Sequence, residues 1–432
     1  MWTTSPSYAH HIPDLRHPRF PPGRRIDLPL VSSYSSLLKT PGVARIIAAQ
    51  LTARFPSGML SLALLLHIEH VHHSYGSAGL VLAAASVGQA IAGPLTSRLM
   101  GRLGMRLVLA VTLVVCVLSI VTIGLTVLPI GWTMVIAFVG GLSTPPIQPA
   151  VRTIYPKMVN SRQLTPLFSL DASAQEIIWI AGPVVITFLS IQLSTVIGLL
   201  VCAVVMALGG IWFIALPEVG RVRIPRSKRK LGVVLTRPTV LLSTVVGFLL
   251  VGSCAAIEAG VVANFPEGGA EAGIVLAIWS LGSLAGGLSF GHLPIGPWAL
   301  ARRMFIVLVG VALAAAWMNF WWLTATLIIA GAGIAPALAV IFAIVSSSVK
   351  FSDTAEAYGW VGTGQLIGAA IGSAVAGFLI DSFDARGAFW VAGAFALVGF
   401  LVPLFGRRWH PDLRGRDASP IPDTEPIHVA PS

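Results

Sequence analysis

Two sets of residues in this sequence have the types and spacing to do chemistry. The stretch "LLLHIEHVHHSYGS", residues 64 to 77, gathers His67, His70, His72 and His73 around Glu69. Neutral imidazoles with a carboxylate are what a zinc or nickel ion would use. The second set is dispersed: Arg54, Arg152, Asp171, Glu176 and Glu258 each interrupt an apolar run. A charge near the centre of a bilayer costs at least ~2.5–3.5 kcal/mol, so such groups face a partner or a water-filled cavity, where they bind substrate or carry protons.

The surrounding elements follow from composition. Of the 432 residues, 55% are apolar and 10% charged, with a mean hydropathy of +0.84, whereas soluble domains carry roughly a quarter charged residues. Twelve apolar runs recur, at 43–66, 76–97, 105–128, 131–156, 166–190, 194–216, 239–263, 271–292, 303–320, 321–348, 355–380 and 386–406. They are near the ~20 residues that span hydrocarbon and lack the alternation of barrel strands, so an all-α membrane protein of 12 transmembrane helices is predicted.

Lys and Arg collect on the cytoplasmic side of such proteins. Here they alternate strictly between gaps: Arg16, Arg19, Arg24, Arg25 and Lys39 precede helix 1; Arg98, Arg102 and Arg106 follow helix 2; Lys157 and Arg162 follow helix 4; Arg302 and Arg303 follow helix 8; Lys350 follows helix 10; and Arg407, Arg408, Arg414 and Arg416 follow helix 12. The other side has Arg386 alone. Both termini are expected in the cytoplasm. The basic run "PEVGRVRIPRSKRKLGVVLTRP" divides the chain into two sets of six helices. The expected division is a tail at 1–40, a six-helix bundle at 41–217, a basic linker at 218–237 that also suits anionic lipid headgroups, a second bundle at 238–408 and a tail at 409–432. Because the net charge of +11 is spread over short connections, it does not indicate nucleic acid. The excess of arginine over lysine, with much alanine, valine and glycine, suggests a genome rich in G and C and a bacterial plasma membrane.

Some of these features resemble the major facilitator superfamily. Besides the six-plus-six arrangement, the connection "SRLMGRLGMRLVL" is similar to that family's motif between helices 2 and 3, matching it at Arg102, Gly104 and Arg106. Ser97 stands in place of its first Gly and Gly101 in place of its Asp, so the carboxylate that locks the family's cytoplasmic gate is missing. "GGLSFGHLPIGPWALARR" is a faint repeat of the motif after helix 8, and "EIIWIAGPVVI" places Gly182-Pro183 where the family's proton-coupled exporters carry a Gly-Pro element. The resemblance implies the major facilitator fold and secondary active transport by alternating access, with export of a small amphipathic or lipophilic compound in exchange for protons. Uptake or exchange of an organic anion held by Arg54, or a non-transporting scaffold or sensor, are the alternatives.

From the rise per residue, Arg54 lies roughly 16 Å into helix 1 and Glu176 roughly 15 Å into helix 5, while Arg152 and Asp171 lie about 6 and 8 Å from the cytoplasmic end. Arg54 and Glu176 are therefore expected together at a central cavity, with Gln175 and Trp179 beside them and Glu176 as the proton carrier. Arg152 with Asp171 is expected to act as a cytoplasmic gate or brace. Glu258 is a candidate second protonation site or outer gate, Gln365 and Trp360 candidate cavity groups, and Glu356 a carboxylate suited to the N-terminus of helix 11; Arg102 and Arg106 join it as gate residues. Gly364, Gly368 and Gly372, like Gly282 and Gly286, give smooth faces that permit close packing and would slide in alternating access. There is no phosphate loop, nucleophile elbow or Cys/His zinc spacing, so neither an enzyme nor a cofactor is expected, and the chain is expected to act as a monomer. The histidine stretch then falls at the outer end of helix 1 as a hydrated loop, in which His67 and His70, three residues apart, are the pair that would share a face for a metal ion.

Overall fold

The computed structural model describes residues 34, 37–227, 229–265, 270–291, 293–414 and 418–423. Most of the amino-terminal tail, Lys228, Arg416 and the last nine residues lie outside these. Ten helical spans are long and apolar enough to cross a membrane. They are α1 (Val43–His72), α2 (Gly76–Leu103), α3 (Met105–Leu125), α4 (Ile130–Lys157), α5 (Gln163–Ser190), α6 (Thr195–Ala215), α7 (Pro238–Asn264), α8 (Glu271–Phe290), α10 (Phe320–Ser348) and the continuous Phe351–Phe405. The last is broken where Phe383 and Asp384 leave helical geometry, Asp384 at φ 56°, which gives α11 (351–382) and α12 (385–405). The shorter helix Ala299–Ala314 is α9, and the count reaches twelve.

Where the chain re-enters the apolar region, polar side chains supply the first orphan amides of a helix with acceptors. Ser74 caps α2, Asn160 the turn before α5, Ser194 α6 and Asn319 α10. Two helices are interrupted at mid-depth. α1 tightens into a 3₁₀ turn at Phe55–Gly58, directly after Arg54. α4 unwinds between Leu142 and Ile147, where consecutive prolines Pro145 and Pro146 remove amide donors. α5 runs on through Gln175, whose φ of −62° and ψ of −26° stay helical.

Helices α1–α6 and α7–α12 form the two halves. Glycines settle much of the packing: a side chain at Gly364 would meet Thr244 Cγ2 at 2.8 Å, and Gly368 and Gly372 lie against the backbone of Phe248 and Gly252. These glycines, and Gly282 and Gly286 against α10, fix helix pairs inside one half, the close packing that their spacing indicates. The glycines between the halves are others. A Cβ at Gly93 of α2 would meet the Gly359 oxygen of α11 at 2.9 Å, and Gly287 and Gly291 of α8 lie against Ser173 and Ser169 of α5.

The halves meet over one end only. A single apolar core runs from Leu37 and Val43 through Phe168 of α5 into Phe342, Tyr358 and Ala396 of the second half. A separate cluster of Met59, Leu64, Ile120, Ile186, Leu199 and Met206 stays within the first half at the other end. Along α5, Leu164 to Glu176 are almost all buried, whereas Ile177, Trp179, Val184, Val185 and Phe188 are exposed. The halves are sealed at the end that carries the basic connections and part beyond Glu176.

The linker and tail also pack at the basic end. Gly232, at φ +84°, is in a conformation that suits glycine; its amide donates to Glu356 at 2.8 Å, and Ser227 donates to Asp353 at 2.6 Å. Ile421 pairs with the α10–α11 turn, accepting from the Phe351 amide at 3.0 Å and donating to Val349 at 2.9 Å.

Candidate functional site

The deepest polar cluster is built on Asp171 of α5, which is fully buried. Its carboxylate accepts from Gln50 at 3.0 Å, from Arg152 Nε at 3.1 Å and from Tyr155 at 3.2 Å. Arg54 follows Gln50 by one helical turn on the same face of α1. It donates to Gln50 Oε1 at 2.9 Å and to Gln175 Oε1 at 2.6 Å, and its Nη1 lies 4.0 Å from Asp171. The Gln148 amide turns its oxygen to Arg152, accepting from both terminal nitrogens at 2.6 Å, the orientation that satisfies both groups.

Two expected pairings resolve differently. Arg152 and Asp171 are joined as the sequence indicates. Arg54 and Glu176 are not: Arg54 belongs to the Asp171 cluster, and Glu176 turns to the second half, where Ser283 of α8 donates to its Oε1 at 2.7 Å. Ser283 also accepts from the Ala335 amide of α10 at 3.2 Å, so one hydroxyl ties Glu176 to two helices of the opposite half. The physical reason is rotation, because successive residues on a helix point about 100° apart: Gln175 faces Arg54 and Glu176 faces α8.

Other expected cavity residues are spread out. Trp179 is 57% exposed on the part of α5 beyond the seal. Glu258 is exposed and lines an open groove of about 490 Å³ between α7 and α11 with Ala255, Val262 and Ser373. Gln365 packs against Gly247 of α7, and its buried Nε2 finds no acceptor among the described residues. Trp360 does not join the site: its ring stands against Gly232 of the linker, 3.7 Å from where a side chain there would begin.

The basic-end seal uses residues that the motif reading only partly identified. Arg98 Nη1 lies 2.8 Å from Glu356 Oε2, the one ion pair between the halves among the described residues. Arg152 stacks on Phe342 of α10 at 3.3 Å, and Lys157 on Phe351 at 4.4 Å. Tyr155, Phe168, Phe342 and Tyr358 add a knot of rings from both halves, with centroids 6.0 to 6.5 Å apart. Arg106 instead braces the first half internally, donating to the Leu216 carbonyl at 3.0 Å, and Arg102 is exposed. The missing motif carboxylate has a local cause: a Cβ at Gly101 would meet the Pro225 carbonyl oxygen of the linker at 3.2 Å.

At the other end, His67 is buried and its ring spans two helices, Nδ1 at 3.1 Å from Thr195 Oγ1 and Nε2 at 3.1 Å from the Ile123 carbonyl oxygen. Both nitrogens are occupied in holding α1 to α3 and α6, which removes His67 from the metal pair with His70. Gln50, Phe342, Ser283 and Arg98 were not singled out as site residues from sequence; only Gln50 carried a signal, its one-turn spacing from Arg54.

Twelve membrane helices in two halves, closed on each other at one end across the Arg98–Glu356 ion pair, have the build of a membrane transporter. The sequence matches the Major Facilitator Superfamily over residues 46–318 and 268–426, and the chain belongs to that family. It is a secondary transporter, not an enzyme. Among curated proteins none matches the sequence. Similar solved structures include the human organic anion transporter MFSD10 (TETRAN), at 16% identity and a TM-score of 0.65 over 84% of this chain and 100% of that one. Another is a bacterial homologue of the iron transporter ferroportin in an outward-facing state, at 13% identity and a TM-score of 0.67 over 85% and 98% of the two chains.

Proposed function

We propose that this transporter is proton-coupled and exports a small amphipathic compound, with Glu176 as the proton carrier. The observation that carries this reading is the Glu176–Ser283 hydrogen bond of 2.7 Å. Among the described residues this buried carboxyl has a hydroxyl and no cation as its partner, at the point where the two halves part. A carboxyl so placed changes charge without stranding an arginine, and its charge state bears directly on whether the halves hold together. A Cβ added at Gly182, in the Gly-Pro element, would meet Gly58 in the 3₁₀ turn of α1 at 2.8 Å; this close approach of α5 to α1 supports the likeness to exporters.

The basic connections support a cytoplasmic location for both termini, so the conformation described is sealed on the cytoplasmic side. The division at 218–237, a bacterial plasma membrane, lipid contact through the linker and a monomeric state complete the proposal. Proteoliposomes loaded with a pH-sensitive dye and challenged with a panel of amphipathic compounds test it. Compound-dependent proton flux is expected in wild type and lost in Glu176→Gln; undiminished flux in that variant removes Glu176 from the mechanism.

A further inference from the structure

Resting on the reading of the chain as a secondary transporter, we infer that the Arg54 cluster is an anion-binding subsite and that the substrate carries a carboxylate, sulfonate or phosphate on an apolar body. The argument is one of charge. Two buried guanidinium groups, Arg54 and Arg152, share the single carboxylate of Asp171. Arg152 takes the closer share, with its Nε at 3.1 Å against 4.0 Å for Arg54, and is closed off at 2% exposure between Asp171, Gln148 and the face of Phe342. Arg54 keeps 13% of its side chain exposed. Its two hydrogen bonds go to the neutral amide oxygens of Gln50 and Gln175, although a guanidinium has five N–H donors in a fork that matches a carboxylate or phosphate. Glu176, the remaining carboxyl nearby in sequence, forms no ion pair with it and is turned to Ser283.

The backbone around Arg54 is shaped for a ligand as well. The 3₁₀ turn in α1 after Arg54 and the break in α4 before Gln148 bring two interrupted helices to one cluster at mid-depth, beside Gln175 of α5. Interrupted helices at that level are where transporters of this general build hold substrate. An excess cation held there by amides, which exchange readily for a stronger acceptor, selects an anion over a cation.

Calorimetry on the purified full-length chain with 2-naphthoate and 2-naphthylmethylammonium, which share an apolar body and differ in charge, tests the inference. The carboxylate should bind wild type about tenfold more tightly than the amine, the effect of one charged hydrogen bond. Arg54→Gln should abolish that preference, and Arg54→Lys should retain part of it. Asp171→Asn removes the competing carboxylate and should tighten naphthoate binding, a gain that misfolding cannot imitate. Equal binding of the two probes to wild type, a preference that survives Arg54→Gln, or weaker naphthoate binding in folded Asp171→Asn overturns the subsite. Glu176→Gln should still prefer naphthoate, so loss of proton coupling and loss of the anion site are told apart.

Discussion

Glu356→Gln tests how the basic end is held shut. The wild-type carboxylate takes Arg98 Nη1 on one oxygen at 2.8 Å and the Gly232 amide on the other at 2.8 Å. The two paired side chains are 10% and 4% exposed, so solvent screens the pair little. Glutamine keeps the shape and can still accept from Gly232, but the interaction with Arg98 loses its charge. A hydrogen bond to a charged group contributes about 1.5–3 kcal/mol, which corresponds to roughly 10- to 150-fold in the ratio of closed to open molecules. The stacks of Arg152 on Phe342 and Lys157 on Phe351 remain, so a mixed population is expected instead of complete opening. Spin labels at Leu103 and Trp298, 58% and 43% exposed at the basic ends of the two halves, in a background without Cys116, Cys202 and Cys254, read the change as a second, longer distance. The charge-reversed pair R98E/E356R should restore the short one. Superimposable distributions for wild type and Glu356→Gln, or no recovery on reversal, would refute the assignment of the lock to this pair.

Restoring the family's carboxylate should do harm here. In Gly101→Asp the new side chain meets the Pro225 carbonyl 3.2 Å from its Cβ, and overpacking of this kind costs about 1–3 kcal/mol; trypsin should then cut the linker at Arg221, Arg223 and Arg226 sooner than in wild type, and unchanged digestion would mean that the linker does not dock there. His67→Ala strands the Thr195 hydroxyl and the Ile123 carbonyl, a loss of about 1–3 kcal/mol expected as a lower melting temperature. Zinc titrations of wild type and His67→Ala should coincide, and a difference between them would return His67 to the role of ligand.

The membrane helices were legible because they rest on a one-dimensional signal, apolar length. Axial depth was legible too, since rise per residue is constant, and it paired Arg152 with Asp171. Direction around the helix was not. An axial match placed Arg54 beside Glu176, but the step of about 100° between neighbours assigns Arg54 to Gln175 and sends Glu176 to Ser283. Glycine spacing likewise marks close approach without naming the partner: Gly364, Gly368 and Gly372 pack within one half, while Gly93 and Gly359, far apart in the chain, meet across the seam. The substitution of Gly101 became explicable only with the linker in place.

The seam itself separates two tasks. A carboxylate stands at each end of it, Glu356 at the mouth and Glu176 where the halves part, and between them lie glycine contacts and hydrogen bonds such as Thr363 to the Ala90 carbonyl at 2.7 Å and Ser169 to the Gly287 carbonyl at 2.6 Å. Packed surfaces of this kind are either engaged or apart, with little between, so the state of the transporter turns on its charged ends. Neutralising Glu356 takes the charge from the partner of buried Arg98, the loss of about 1.5–3 kcal/mol given above. Neutralising Glu176 leaves only a serine hydroxyl, which donates or accepts equally well. A proton therefore acts at lower cost on Glu176 than on Glu356, which supports the proposed coupling at Glu176 and leaves Glu356 with Arg98 as the pair that holds the basic end.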